Sequence, residues 1–173
     1  MLNSLLICKK ANMLRSRGCG SLEELAKGEG IRLHRRDDFQ DLLGMYICAL
    51  KNRMIFLNGR LEEPMASMVL AHEIGHDQLH RDLAKSRPLQ EFVLFDMRNR
   101  TEYEANAFAA HLLLPDEDVL EYLHSGMDLS ETASILHVNI NLLLIKLAEM
   151  NRLGMDLRLP FDPDNAFLSK IRV

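Results

Sequence analysis

The chain has 173 residues, 47% of them apolar, enough to bury the core of one domain with a small appended lobe but not a second large domain. A formal net charge of −4 and a pI near 6.0 exclude any general attraction to nucleic acid or anionic membranes, and no run approaches the roughly 20 apolar residues of a membrane span. Cys8, Cys19 and Cys48 have neither zinc-finger nor disulfide-framework spacing, and the short apolar run Leu2 to Cys8 is followed by Lys9 and Lys10, unlike a secretory signal; a soluble cytoplasmic protein is expected.

Residues up to about Arg17 read as a helix with Leu5, Leu6, Met13 and Leu14 on its apolar side, broken at Arg17-Gly18-Cys19-Gly20. Ser21 and Glu24 form a capping box that opens a short helix, Leu22 to Lys27, stopped at Gly28 and Gly30. Ile31 to Arg35 alternates as a half-exposed strand does, and Leu43 to Leu50 and Met54 to Leu57 form a hairpin around the polar Lys51-Asn52-Arg53 insert. A small antiparallel sheet follows. Its edge, if uncovered, would accept an extended peptide as an added strand; a covered edge fits the sequence equally well.

The last of these strands runs almost directly into the stretch that carries chemistry. Pro64 suits a first helical turn, Glu62 and Glu63 complement its dipole, and Met65, Met68, Val69 and His72 recur at helical spacing. His72 and His76 therefore project from one face a turn apart and can grip one metal ion together. Glu73, one position round, stays off the metal but near its open coordination position, where a general base belongs. The pattern is H-E-x-x-H.

Arg81 to Arg98, with Pro88, several charges and an apolar Phe92 to Phe95 cluster, reads as a long loop able to border or close a cleft. Thr101 to Leu114 is a core helix, with Ala105, Phe108, Ala109, Leu112 and Leu113 as its stripe and Pro115 as its stop. It starts with Glu102 and Glu104, and a catalytic zinc keeps three protein ligands and an open position. Either carboxylate satisfies that need by periodicity, and either could instead close a capping box, Glu102 with Asn99 or Glu104 with Thr101. Beyond Pro115 come helices over Asp116 to Leu123 and Leu129 to Leu136, and a third capped by Asn139 with Ile140, Leu143, Leu144 and Leu147 buried; the tail with Pro160 and Pro163 is expected to run over the surface. The last two helices are spaced like a helix-turn-helix, but with only Lys146 and Arg152 as cations they read as a packing or substrate-binding lobe, not a DNA reader.

Met54-Ile55-Phe56-Leu57-Asn58, Leu70-Ala71-His72-Glu73-Ile74-Gly75-His76 with Leu79-His80, and Glu104-Ala105-Asn106-Ala107-Phe108-Ala109-Ala110-His111-Leu112-Leu113-Leu114-Pro115 together resemble the ImmA/IrrE family of metallo-endopeptidases. The resemblance is clearest from about Ser21 to Pro115, and Leu114 stands where the family usually has Met. It implies a gluzincin-like site with zinc on His72, His76 and Glu104, and a narrow substrate range, commonly a helix-turn-helix repressor encoded nearby on mobile elements. A metzincin site is excluded, because Leu79 and Asp82 stand where its glycine and third histidine would be.

The expected fold is α+β: a small antiparallel sheet packed on a zincin-like pair of active-site helices in residues 1–115, with residues 116–173 as a helical lobe packed on that core. The expected site is Glu73 as catalytic base and His72, His76 and Glu104 as metal ligands, Zn2+ being the cofactor by ligand type although manganese or iron suit the same donors. Asn106 is a candidate partner behind a ligand, and His80 and Tyr103 are candidates for oxyanion support, His80 also reading as a plain helix-end histidine. His34, His111, His124 and His137 read as surface or structural. A non-proteolytic module that binds a transcription factor or DNA is the alternative, and an intact Glu73 argues against it, since a structural zinc has no use for a base.

Overall fold

A computed structural model describes residues 3–18, 20–95 and 99–157. The chain runs α1 (Ser4–Arg15), α2 (Leu22–Gly28), β1 (Ile31–Arg36), β2 (Gly44–Ala49), β3 (Asn52–Asn58), α3 (Met65–Leu79), α4 (Arg81–Ser86), β4 (Leu89–Glu91), α5 (Arg100–Leu113), α6 (Asp116–His124), α7 (Leu129–Ile135) and α8 (Ile140–Arg152). The architecture is α+β, a four-stranded sheet with helices packed around it. Among the described residues no single helix is long and apolar enough to cross a membrane. The expected surface course of the tail around Pro160 and Pro163 lies outside the described residues.

Sheet order is β1-β3-β2-β4. β2 and β3 form the expected antiparallel hairpin, turning at Leu50 and Lys51, both at positive φ (49° and 66°), the handedness that matches strand twist in a two-residue turn. β1 pairs with β3 in parallel, so the sheet is mixed. Alternation marks a strand but not the direction of its partner, and the segment between β1 and β2 carries the chain past β3's position. β4, only three residues, pairs antiparallel with β2 and covers the edge that the sequence left open. The expected loop after His80 is therefore partly ordered as α4 and β4; a six-residue helix and a three-residue strand are too short for periodicity to reveal.

α1 buries Ile7, Cys8, Ala11 and Leu14, while Leu5, Leu6 and Met13 face outward. The expected face was wrong by about a third of a turn, because small Ala11 adds little hydropathy yet allows α1 to approach α5. The Ser21–Glu24 capping box of α2 is present in both directions. α3 is tied to the sheet through buried Asp77, which accepts from Tyr46 Oη at 2.8 Å, Arg53 Nη1 at 2.9 Å and Arg81 Nη2 at 3.0 Å. Burial without these donors would be costly, so the cluster fixes the rotation of α3 about its axis.

α3 and α5 pack directly on each other. A Cβ at Gly75 would lie 3.0 Å from Ala105 O and 3.3 Å from Phe108 Cβ, so the glycine inside the motif sets the distance between the two helices. One hydrophobic cluster then runs from Ile7 and Ile55 through Phe108 to Leu142, Leu143 and Leu147 of α8. α8 is buried around its whole circumference from Leu142 to Met150, and even Lys146 is fully enclosed. A helix packed on all sides has no face to lay in a DNA groove.

Candidate metal centre

On α3 the His72 and His76 rings meet edge to face with centroids 4.6 Å apart, as i,i+4 neighbours do. Their Nε2 atoms lie 3.2 and 3.3 Å from the same oxygen, Oε2 of Glu102 in the first turn of α5. Glu91, at the end of β4, brings its Oε2 to 3.0 Å from His72 Nε2. One donor atom from each of His72, His76, Glu91 and Glu102 falls within 4.8 Å of the others.

These separations suit a small cation. Donors about 2.0–2.1 Å from a tetrahedral zinc stand roughly 3.3 Å apart, the spacing found here between the imidazoles and the carboxylates. The electrostatics agree. Burial opposes charge on His72, yet hydrogen bonds to Glu102 and Glu91 and the field of Glu73 override it and push the imidazole up to about 10. A proton there is the nearest substitute for the cation that the surrounding carboxylates demand. Burial instead pushes His76 down to about 4. Glu102 is held far below the ordinary carboxylate range: burial opposes this, but hydrogen bonds from both histidines outweigh it.

Glu73 is fully buried, and neither carboxylate oxygen has a hydrogen-bond partner among the described residues. Burial raises its pKa well above the usual value, which is what a base that must also give its proton back requires. Its seat is made by an absent side chain: a Cβ on Gly44 of β2 would lie 2.5 Å from Glu73 Oε1 and 2.7 Å from Val69 Cγ1.

Behind the imidazoles runs a second row of contacts. Asn106 Oδ1 lies 2.8 Å from His72 Nδ1. His76 Nδ1 is 3.0 Å from His80 Nδ1, and His80 Nε2 is 3.2 Å from Glu104 Oε2, whose Oε1 accepts from Arg100 Nε at 2.8 Å. When each Nδ1 carries the hydrogen, both Nε2 lone pairs point at the donor cluster.

Three expectations change. Glu104 is turned to Arg100 and to His80 at the C-terminal end of α3, whereas Glu102 lies beside Nε2 of both motif histidines; two residues along a helix is about 200° of rotation, so the pair does not share one target. His80, buried and behind His76, is not placed to support an oxyanion. Tyr103 points away from the cluster, its hydroxyl bonded to Glu149 and Arg152 of α8. Asn99 caps α5 through Thr101 N, but Glu102 does not return to close a capping box. Glu91 was missed altogether, since a lone glutamate in an aperiodic stretch carries no spacing signal.

Two imidazoles a turn apart, a buried carboxylate beside them and acidic donors from neighbouring elements define a metallopeptidase-type site. Residues 25–148 match the Peptidase M78 family, described as the IrrE N-terminal-like domain, and the chain belongs to that family. It is also 36% identical over 93 residues to "Uncharacterized immunity region protein 2" of Bacillus phage phi105, a match covering 54% of this chain and 58% of that protein. The chain thus spans a little over half the length of this curated relative.

Proposed function

We propose that the protein is a zinc-dependent metallo-endopeptidase that hydrolyses a peptide bond in one specific intracellular protein, a helix-turn-helix repressor encoded with it in a phage-type immunity region. The observation that carries this is Glu73, fully buried and without a hydrogen-bond partner for either oxygen among the described residues, beside converging donors from His72, His76 and Glu102. His72, His76 and Glu102 would hold the ion, Glu102 taking the role that the family resemblance assigned to Glu104. When bound, zinc supplies Lewis acidity, polarising the scissile carbonyl and acidifying water. Glu73 takes the proton of the attacking water and returns it to the leaving amine. Asn106 and His80 hold the two imidazoles in the tautomer that presents Nε2, and Glu104 with Arg100 fixes His80. The immunity-region relative supports a substrate within the same genetic circuit, and buried free Cys8 and Cys48 suit the cytoplasm where such a substrate works.

The test is incubation of the neighbouring-gene repressor with zinc-loaded wild type and Glu73→Gln, with metal content measured and products read by mass spectrometry. Discrete fragments from wild type, reduced by about 10²–10⁴-fold in rate for Glu73→Gln at equal zinc, are expected. Binding of the repressor by both proteins with cleavage by neither would instead indicate a non-proteolytic regulatory module.

A further inference from the structure

Glu91 is a buried glutamate on β4, an edge strand of the sheet, 4% exposed. Its position is dictated by register. β4 pairs with Gly44, Met45 and Tyr46 of β2, Glu91 lying opposite Gly44, and Leu43 N donates to Glu91 O at 2.8 Å. The alternation sends Leu89 and Glu91 inward and Gln90 out; a slip of one residue would turn Glu91 to solvent. A carboxylate taken out of water at a strand end needs partners, and those of Glu91 are His72 Nε2 at 3.0 Å and the Glu102 carboxyl. Glu102 lies 3.2 Å from the same nitrogen, so the two carboxylates approach His72 equally closely.

Counting donors around a tetrahedral ion then leaves nothing over. His72, His76 and Glu102 would supply three donors, and a catalytic zinc keeps its fourth position for water or substrate. We propose that Glu91 is a fourth, removable metal donor that closes the site in the resting protein, and that catalysis begins when β4 withdraws it. This rests on the metallopeptidase reading above. β4 is held to the sheet by three residue pairs and is followed by exposed Phe92 and Val93, so it is the least anchored of the elements that supply donors. It also occupies the edge of β2 to which an extended peptide would add. A substrate that pairs with β2 must displace β4 and draw Glu91 away from His72, which would leave that donor position to water.

The experiment is cobalt substitution of the full chain. Wild type, Glu91→Ala and Glu91→Gln are loaded with Co(II), their visible absorption recorded, azide titrated in as an added ligand, and zinc affinity measured by competition with a chelating dye. His72→Ala is the control for the metal site itself. If Glu91 is a donor, both Glu91 variants shift the cobalt bands, bind azide more tightly than wild type and lose about tenfold or more in zinc affinity. Unchanged bands and azide affinity in both would overturn the proposal while leaving the metallopeptidase reading intact. Failure of wild type to bind cobalt or zinc any better than His72→Ala would instead overturn that reading. Should Glu91→Ala not fold, as judged by circular dichroism, Glu91→Gln keeps the side-chain volume and decides alone.

Discussion

Two parts of this molecule bury charge, and they balance it differently. In the helical lobe each buried charge meets its opposite: Lys146 Nζ bonds Asp116 and lies 3.0 Å from His111 Nδ1, and Glu149 accepts from Arg152 at 2.8 Å while Arg152 sits 4.8 Å over the Tyr103 ring. Around His72 and His76 the carboxylates of Glu73, Glu91 and Glu102 crowd together, Glu91 against Glu102 as well as against His72, and among the described residues no lysine or arginine is bonded to any of them. In the lobe each charge is matched by one within the chain, whereas the metal centre has been left short of positive charge. A deficit of that kind is the signature of a site whose last component comes from outside.

The contrast can be broken first at the metal. Glu102→Ala should weaken zinc binding far more than Glu104→Ala, whose effect, exerted through His80, should stay within about 10–100-fold. Competition with a chelating dye measures both, and the reverse order would return the third-ligand role to Glu104. On the other side of the comparison, Asp116→Ala leaves the enclosed Lys146 ammonium without its carboxylate and should lower unfolding free energy by roughly 3–5 kcal/mol, with or without zinc, in urea denaturation. Substitutions at the metal centre should change stability mainly when zinc is present.

Acid sharpens the comparison further. Burial, with the Lys146 charge second, pushes His111 down to about 4 from an ordinary 6.5. The unfolded chain therefore takes up that proton before the folded protein does, so the contribution is intact above pH 6.5 and is lost as pH falls towards 4, by at most about 3 kcal/mol. Urea midpoints of metal-free protein at pH 7.5 and 5 should converge in His111→Gln relative to wild type. The smallest effect expected is at Glu73. Its pKa is raised above the unfolded value, so its contribution to the metal-free fold is full below the unfolded carboxylate pKa and is lost as pH rises. Glu73→Gln without metal should consequently melt slightly above wild type at pH 7 while being the poorer catalyst; a lower melting temperature would mean that Glu73 has a stabilising partner.

What the sequence could show divides along the same physical line. Helix α3 and both of its histidines were legible because a 3.6-residue repeat puts i and i+4 on one face whatever surrounds them. The capping box of α2, the Asn139 cap of α8 and the β2–β3 hairpin were legible for the same reason, each being closed within a few residues. Glu102 against Glu104 was not, since that choice depends on how α5 is rotated against α3, which Gly75 and Ala105 decide only on contact. Glu91 was invisible because its place comes from pairing with Gly44, 47 positions earlier in the chain, and so was the parallel β1–β3 pair.

The hairpin turn at Leu50 and Lys51 has a practical side. Both residues take a left-handed conformation that costs an ordinary side chain roughly 1–2 kcal/mol, and Leu50 leaves 95% of its surface in water. Nothing there uses the side chains that incur this cost, and asparagine and glycine adopt the same turn willingly. The position is six residues along β2 from Gly44, roughly 20 Å from the carboxylates at the rise of a strand. An Asn-Gly replacement would therefore give a sturdier parent protein with an untouched reaction centre, a background in which the most damaging changes to the buried glutamates and lysine can still be purified in folded form.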